Sequence, residues 1–199
     1  MYEAIKADPG ELVRAAARKR LINFARYMQP DLVLEPFHVV YYTLLDMFAH
    51  GKIRKMIVQQ PPQHGKSEGS SRKLPAFMLG LDPDRKICIG SYAATIARDF
   101  NRDVQRIIDT PRYRELFPGT YLNGSNVVTM ANTYLRNSDV IEMVGRKGSL
   151  RVVGRGGSLT SKTVDVSILD DVYKDYAEGN SPIVRAAAWK WYTTVVRTR

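Results

Sequence analysis

The sequence lacks several features that would assign it directly to a class of protein. It contains a single cysteine, Cys88, inside an apolar run, which excludes a disulfide framework and predicts a buried, unreactive thiol. No apolar run approaches the roughly 20 residues of a membrane-spanning helix. The N-terminus carries Glu3 and Asp8 and has no apolar block typical of a secretory signal. We therefore expect an intracellular protein that is not secreted and has no membrane partner.

Acidic residues are few relative to basic ones. Lys and Arg together number 30 and Asp and Glu 20, which gives the 199-residue chain a net charge of +10. A positive surface of this size attracts polyanions and favours contact with nucleic acid. A basic but otherwise ordinary globular protein is the alternative, because 44% hydrophobic and 25% charged residues are typical values for a soluble domain.

A phosphate-binding loop is predicted at residues 60–67, which read Gln-Pro-Pro-Gln-His-Gly-Lys-Ser and follow the apolar run 55–59. In such a loop, backbone N–H groups and the start of the next helix cradle phosphate oxygens. Lys66 would bring a positive charge to the β- and γ-phosphates, and the Ser67 hydroxyl would bind Mg²⁺. The loop lacks its usual first glycine, because Gln60 stands there, and Gly-Lys-Ser by itself is a weak signal.

The acidic pair Asp170-Asp171 directly follows the apolar run 164–169, which predicts a buried strand. A phosphate-binding loop needs a metal-holding carboxylate at the end of a neighbouring strand, and usually a second one that orients the attacking water. We assign Asp170 to Mg²⁺, directly or through water, and Asp171 to the water as its base. The alternative is an ordinary turn, where Asp pairs are common.

The hydrophobic periodicity alternates between strands and helices, which predicts an α/β protein with a mainly parallel sheet flanked by helices. Short strands and β-hairpins are expected over residues 119–163, before Asp170. The other expected elements are strands at 55–59 and 86–91, and helices at 11–28, 36–48, 93–109, 112–117 and from Pro182, with a short helix after Lys66 that Pro75 ends or kinks.

A local repeat places Val-Gly-Arg at residues 144–146 and again at 153–155. Two Gly-Arg turns of this kind could direct the guanidinium groups of Arg146 and Arg155 at phosphates. Paired hairpin turns with ordinary exposed arginines are the alternative.

Residues 61–67 resemble the P-loop of the large terminase subunits of tailed bacteriophages. The similarity continues in order along residues 35–199, and three positions depart from the family pattern: Gln63 replaces a frequent arginine, Ser161 a usual glycine and Asp171 a usual glutamate. The segments that carry the resemblance are Glu35-Pro36-Phe37-His38, residues 81–84, 90–92 and 156–160, Asp165, residues 168–171, 191–194 and 197–199.

The resemblance implies a P-loop ATPase that drives double-stranded viral DNA into a procapsid in the host cytoplasm. It implies ATP and Mg²⁺, contact with the DNA phosphate backbone without sequence preference, a portal protein, a small terminase subunit and assembly into a homo-oligomeric ring. We expect residues 1–199 to be a terminase-like ATPase domain that is truncated at its C-terminal end and lacks the family's nuclease domain. Residues 1–34 would form a helical extension within it.

The resemblance also implies the roles of individual residues. The phosphates of ATP would lie on residues 60–67, and the base near Phe37 and His38. An arginine from a neighbouring subunit would stabilise the developing charge, and Arg155 is the first candidate, with Arg146 behind it. The residues of the expected phosphate site are Gln60, Pro61, Pro62, Gln63, His64, Gly65, Lys66 and Ser67.

Two other functions stay open at this point. A helicase-like P-loop translocase would need a second RecA-like domain, for which the chain has no sequence. A non-catalytic module that binds nucleotide, portal or DNA would need no turnover at all.

Overall fold

The chain forms a mixed α/β fold around a small open sheet. A computed structural model describes residues 8–128, 133–159 and 163–198. Its four strands lie in the order β2-β3-β1-β4, with β1, β3 and β4 parallel and β2 antiparallel to β3. The strands are β1 Lys86–Ser91, β2 Val140–Glu142, β3 Ser149–Gly154 and β4 Val166–Leu169. The predicted α/β class and mainly parallel sheet are confirmed, although the sheet is small.

Helices surround this sheet. They are α1 Pro9–Lys19, α2 Leu21–Met28, α3 Pro36–Ala49, α4 Leu74–Leu81, α5 Ala94–Asp109, α6 Pro111–Leu116, α7 Tyr176–Asn180 and α8 Pro182–Trp191. Two π-helical segments, Glu68–Lys73 and Tyr192–Val196, precede α4 and follow α8. None of the helices in the described ranges combines the length and apolar character needed to cross a bilayer.

Both faces of the sheet are covered, because alternate side chains of a strand point to opposite faces. Ile87 and Ile89 of β1 belong to the larger core, with helices α2 to α6, whereas Cys88 between them belongs to a smaller cluster with Trp191. Cys88 is fully buried, and this burial raises the pKa of its thiol to about 12. The prediction that this cysteine is buried is confirmed.

Four predicted elements, α3, β1, α5 and α6, have the expected bounds within one or two residues, and α8 begins at Pro182 as expected. Pro36 opens α3, and Gly51 follows the helix in the left-handed conformation with φ of 73°. Apolar residues at helical spacing predict the buried face of α3, and this prediction is confirmed only in part: Tyr41 and Leu45 are buried, but Val40 is 62% exposed and Tyr42 and Ala49 are buried instead. The predicted stripe is Phe37, Val40, Tyr41, Leu44, Leu45 and Phe48. The β2–β3 hairpin confirms the expected hairpin structure, while Thr160 and Ser161 lie outside the described residues.

The predicted core strand at residues 55–59 is wrong. This segment pairs with no described strand, and Ile57 is 91% exposed. Met56 and Val58 nevertheless pack against the larger core, while Ile57 between them points to solvent. The side chains therefore alternate as in a strand, although the backbone pairs with no described strand. Met56 and Val58 are thus partly buried by core packing and not by strand pairing. Because the segment does not join the sheet, β4 is an edge strand of the described sheet.

The single helix predicted for residues 11–28 is also wrong, because Arg20 is extended, with φ of −134° and ψ of 128°, and separates α1 from α2. Asp46 of α3 explains the break. Its carboxylate accepts a hydrogen bond from the Leu21 N–H at 2.8 Å and contacts Arg20 Nε at 3.0 Å. A carboxylate at the start of α2 satisfies one of the N–H groups that a helix leaves free at its N-terminus.

The helix after Lys66 is longer than predicted, because helical structure continues from Lys66 to Leu81 and includes Pro75. The π-helical segment ends directly before α4, where the Leu74 N–H donates to the Gly69 carbonyl five residues earlier. This wider turn accommodates the missing N–H of Pro75, which lies in the first turn of α4.

Gly80→Ala should destabilise the protein, because a Cβ at this position would lie within 3.0 Å of the Phe117 ring. That ring cannot move freely, since it packs against Tyr113 at a centroid distance of 5.2 Å. We expect the free energy of unfolding, measured with urea, to fall by about 1–3 kcal/mol. Gly179→Ala is the control, because it is also helical but has no atom within 4 Å, and it should stabilise by up to about 1 kcal/mol. Equal effects of the two changes would contradict this packing.

Candidate functional site

The loop at residues 60–67 has an unusual backbone. Gln63 and Gly65 both have positive φ angles, of 63° and 75°. Left-handed residues create backbone concavities in which several N–H groups can face one anion. For Gln63 this conformation costs on the order of 1–3 kcal/mol, and such strain is concentrated at functional sites. Gly65 also has His38 beside it, since an added Cβ would lie 3.4 Å from His38 Nε2.

Lys66, at the end of this loop, reaches both predicted carboxylates. Its Nζ lies 2.7 Å from Asp170 Oδ1 and 2.5 Å from Asp171 Oδ1. Asp170 is buried, with a side chain 3% exposed, whereas Asp171 faces solvent and is 65% exposed. The fold therefore brings together two segments that lie far apart in the sequence.

Asp170 lies at the C-terminal end of β4, and its N–H donates to the Gly90 carbonyl of the neighbouring strand at 2.8 Å. Burial raises the pKa of the Asp170 carboxyl, but hydrogen bonds from Lys66, Ser67 and Ser71 outweigh it and hold the pKa below its ordinary value. Burial likewise lowers the pKa of Lys66, and the two carboxylates more than compensate and raise it. Both groups are therefore charged at neutral pH.

Asp171 has a positive φ of 45°, which is uncommon for a residue other than glycine. Its carbonyl accepts a hydrogen bond from the Tyr92 N–H at 2.9 Å, which ties this conformation to the end of β1. The exposed carboxylate is thus held at the sheet edge beside Lys66, where open α/β sheets bind ligands.

Two further residues of the site were missed by the sequence reasoning. The Ser71 hydroxyl donates to Asp170 Oδ2 at 2.7 Å. The Tyr41 hydroxyl donates to the Lys66 carbonyl at 2.5 Å, and burial raises the pKa of Tyr41 to about 12. No motif marks Ser71, whose position depends on the π-helical segment. Tyr41 was predicted only as part of an apolar stripe, and a Cβ on Gly69 would lie 2.6 Å from its ring.

The residues expected near the base lie beside the loop. The Phe37 ring lies 3.9 Å from the His38 ring and 5.7 Å from the His64 ring, measured between centroids. His38 Nδ1 accepts a hydrogen bond from the Glu35 N–H at 3.0 Å, so part of its role is to cap α3. Gln60 contributes a buried Oε1 that has no hydrogen-bond partner among the described residues. Pro61 lies in the loop next to Gln60.

Within the loop, His64 Nδ1 lies 2.7 Å from the Pro62 carbonyl oxygen, and this contact braces the turn around Gln63. The contact uses Nδ1, the ring nitrogen nearest the backbone, and the His64 ring still lies beside the Phe37 ring.

Arg155 is engaged within its own chain. Its Nη1 donates to the Val172 carbonyl at 2.8 Å and to Glu178 Oε2 at 2.9 Å, and its guanidinium lies 5.9 Å from the centre of the Tyr173 ring. Arg146, by contrast, lies on an exposed turn. The two Gly-Arg sequences of the local repeat therefore have different environments.

The donor set is compatible with one small oxygen-binding cation. The Asp170 carboxylate and the Ser67 hydroxyl lie together, and the described ranges contain no group of three or more His, Cys, Asp or Glu side chains that could hold a metal alone. Mg²⁺ is usually bound by one or two protein groups with phosphate oxygens and water, so these residues fit it.

Comparison with known proteins adds no family assignment. No family model, no curated protein and no solved structure matches this chain.

Asp170→Asn should make the protein less stable at neutral pH by roughly 1–3 kcal/mol, because Lys66 would lose a buried charged partner. The folded state lowers the Asp170 pKa, so its stabilisation is present above the ordinary pKa of 3.8 and is lost as the pH falls through the folded value. The variant should therefore lose less stability than wild type when unfolding is followed from about pH 6 to pH 2.

The control for this measurement is Asp99→Asn, which removes an exposed carboxylate paired with Arg102. It should change stability by less than about 1 kcal/mol. An Asp170→Asn curve that runs parallel to wild type would contradict the coupling between Asp170 and Lys66.

Proposed function

We propose that this chain is a P-loop ATPase, and specifically the motor domain of a terminase-like machine that moves double-stranded DNA. The observation that carries the proposal is the contact of Lys66 with both Asp170 and Asp171. A phosphate loop and an acidic strand end are the two halves of a nucleotide-hydrolysing site. Their approach supports this chemistry more specifically than either motif alone.

The chain's own residues suggest the following division of work. The backbone of residues 60–67 would bind the phosphates, and Phe37 and His38 would border the base. Ser67 and Asp170 would hold Mg²⁺, which neutralises charge on the phosphate oxygens when bound. Lys66 would turn from the carboxylates to the phosphates, and the released Asp171 would orient the attacking water.

The motor part of the proposal rests on charge and on the sequence resemblance. A net charge of +10 suits a partner that is a polyanion. Contact with the phosphate backbone would ignore sequence, as packaging requires. The proposed partners are therefore double-stranded DNA, a portal protein, a small terminase subunit and further copies in a ring, acting at the procapsid in the host cytoplasm.

One observation favours a second candidate, a module that binds nucleotide, portal or DNA without turnover. Lys66 is bonded to both carboxylates, so phosphates must compete with two ion pairs for its ammonium group. If the carboxylates keep Lys66, the loop can bind an anion through its backbone but cannot complete the chemistry.

Lys66→Ala should abolish ATP hydrolysis, because the variant loses the charge that contacts the β- and γ-phosphates. We expect a fall of at least about a hundredfold in phosphate release, measured with Mg²⁺ and with or without duplex DNA. Lys19→Ala is the matched control, since Lys19 is exposed at the end of α1, and its activity should equal wild type. If the wild-type protein releases phosphate no faster than Lys66→Ala, the proposed ATPase activity is refuted. A Lys66-dependent rate that duplex DNA leaves unchanged would argue against the motor.

Arg155→Ala should lower the hydrolysis rate of assembled subunits by about 10³-fold or more if this arginine acts on a neighbouring site. Glu178 holds Arg155 within its own chain, so Glu178→Ala should preserve or raise the rate by freeing the guanidinium. Steady-state rates of the two variants at saturating ATP provide the comparison. Equal losses in both would instead assign Arg155 to positioning the loop after Asp171.

A further inference from the structure

A groove of about 440 Å³ opens beside α8. None of the residues that line it belongs to the loop at residues 60–67. The groove is lined by Tyr173, Pro182, Arg185, Ala186 and Trp189, and we call it the aromatic groove. Its volume lies within the roughly 300–1,000 Å³ of small-ligand sites.

Two aromatic side chains line this groove, Trp189 exposed and Tyr173 half-buried. Trp189 is 64% exposed, and its ring packs against Tyr192 at a centroid distance of 5.5 Å and an interplanar angle of 37°. Tyr173 is held by the Arg155 guanidinium, which lies 5.9 Å from the centre of its ring. An exposed and a half-buried aromatic side chain that each pack against a defined neighbour are typical of a binding site, because they can bury apolar area at little entropic cost.

The charges around the groove are unbalanced. Arg185 lines it, and neither Arg185 nor the nearby Lys190 forms an ion pair with any residue in the described part of the chain. The acidic side chains of α7 and its cap are already engaged: Asp175 accepts from the Glu178 N–H, and Glu178 accepts from Arg155. The groove therefore presents free positive charge beside aromatic faces.

We propose that the aromatic groove binds single-stranded nucleic acid. Bases stack on the faces of Trp189 and Tyr173, and Arg185 contacts the adjacent phosphate, which is the combination that single-strand-binding surfaces use. A duplex keeps its base faces stacked inside the helix, so it can offer this groove only phosphates. This inference does not depend on ATP hydrolysis, and it names a different partner and a different surface from the proposed motor.

Fluorescence of Trp189 provides a direct test. The chain has two tryptophans, and the second, Trp191, is only 5% exposed, so a stacking base should quench mainly Trp189. Titration with an oligothymidine of about 10 nucleotides should give saturable quenching. The affinity should fall as salt is raised, because bound phosphates release counterions.

Variants separate stacking from general charge. Trp189→Ala and Arg185→Ala should each weaken oligothymidine binding, measured by anisotropy of a labelled strand, by about 5-fold or more. Arg114→Ala is the matched control, because it removes an exposed arginine of α6, and it should change the affinity by less than about twofold. Lys66→Ala should bind the strand like wild type, which keeps this result distinct from that of the ATPase assay.

Three outcomes would overturn the proposal. Equal weakening by Arg185→Ala and Arg114→Ala would show general charge attraction. Equal or tighter binding of a duplex of the same length would show a phosphate-only surface. Concentration-dependent self-association that changes Trp189 emission, with no response to oligothymidine, would make the groove an interface between copies of the chain.

Discussion

The ion pairs of Lys66 with Asp170 and Asp171 connect two parts of the chain that lie 104 residues apart in the sequence. One part is the loop after the extended segment 55–59, and the other is the end of β4. No hydrogen-bonded strand pairing joins them in the described sheet, because residues 55–59 lie outside it. Side-chain contacts therefore hold the loop against the rest of the fold: the ion pairs of Lys66, the bond from Tyr41 to the Lys66 carbonyl, and the packing of Met56 and Val58 on the larger core.

The Lys66 ammonium group has different partners in the empty and the occupied site. A buried carboxylate such as Asp170 is costly unless a charged or hydroxyl donor satisfies it. Lys66 provides that donor in the free protein, yet the same ammonium is needed by phosphates. Ser71 reduces the conflict, because its hydroxyl donates to Asp170 and would remain when Lys66 turns away. A cation held by Asp170 would serve the same purpose.

Much of the fold could be predicted because its signals are local. The periodicity of α5, the apolar run of β1 and the Ser-Pro start of α8 depend on residues next to one another. Two of the misses depend on distant contacts. Asp46 breaks the first helix from a position in α3, and the strand at 55–59 fails because no partner pairs with it. Pro75 stays in a helix because the preceding segment changes its hydrogen bonding.

The same distinction applies to the candidate site. Lys66, Asp170 and Asp171 could be named from the sequence, since their chemistry requires specific residue types after a strand. Tyr41 and Ser71 could not, because an aromatic residue on a helix and a serine in a polar run carry no signal of their own. The contact of Arg155 with Glu178 was equally inaccessible, since it depends on how the loop after Asp171 folds back.

Tyr41 gives the N-terminal helices a part in the behaviour of the loop. Its hydroxyl is attached to the Lys66 backbone, and its ring fills the space that Gly69 leaves. The same helix carries Asp46, which holds the first turn of α2. A displacement of the loop would therefore act on α3 through Tyr41 and, through Asp46, on the start of α2, so both helices are coupled to the position of Lys66.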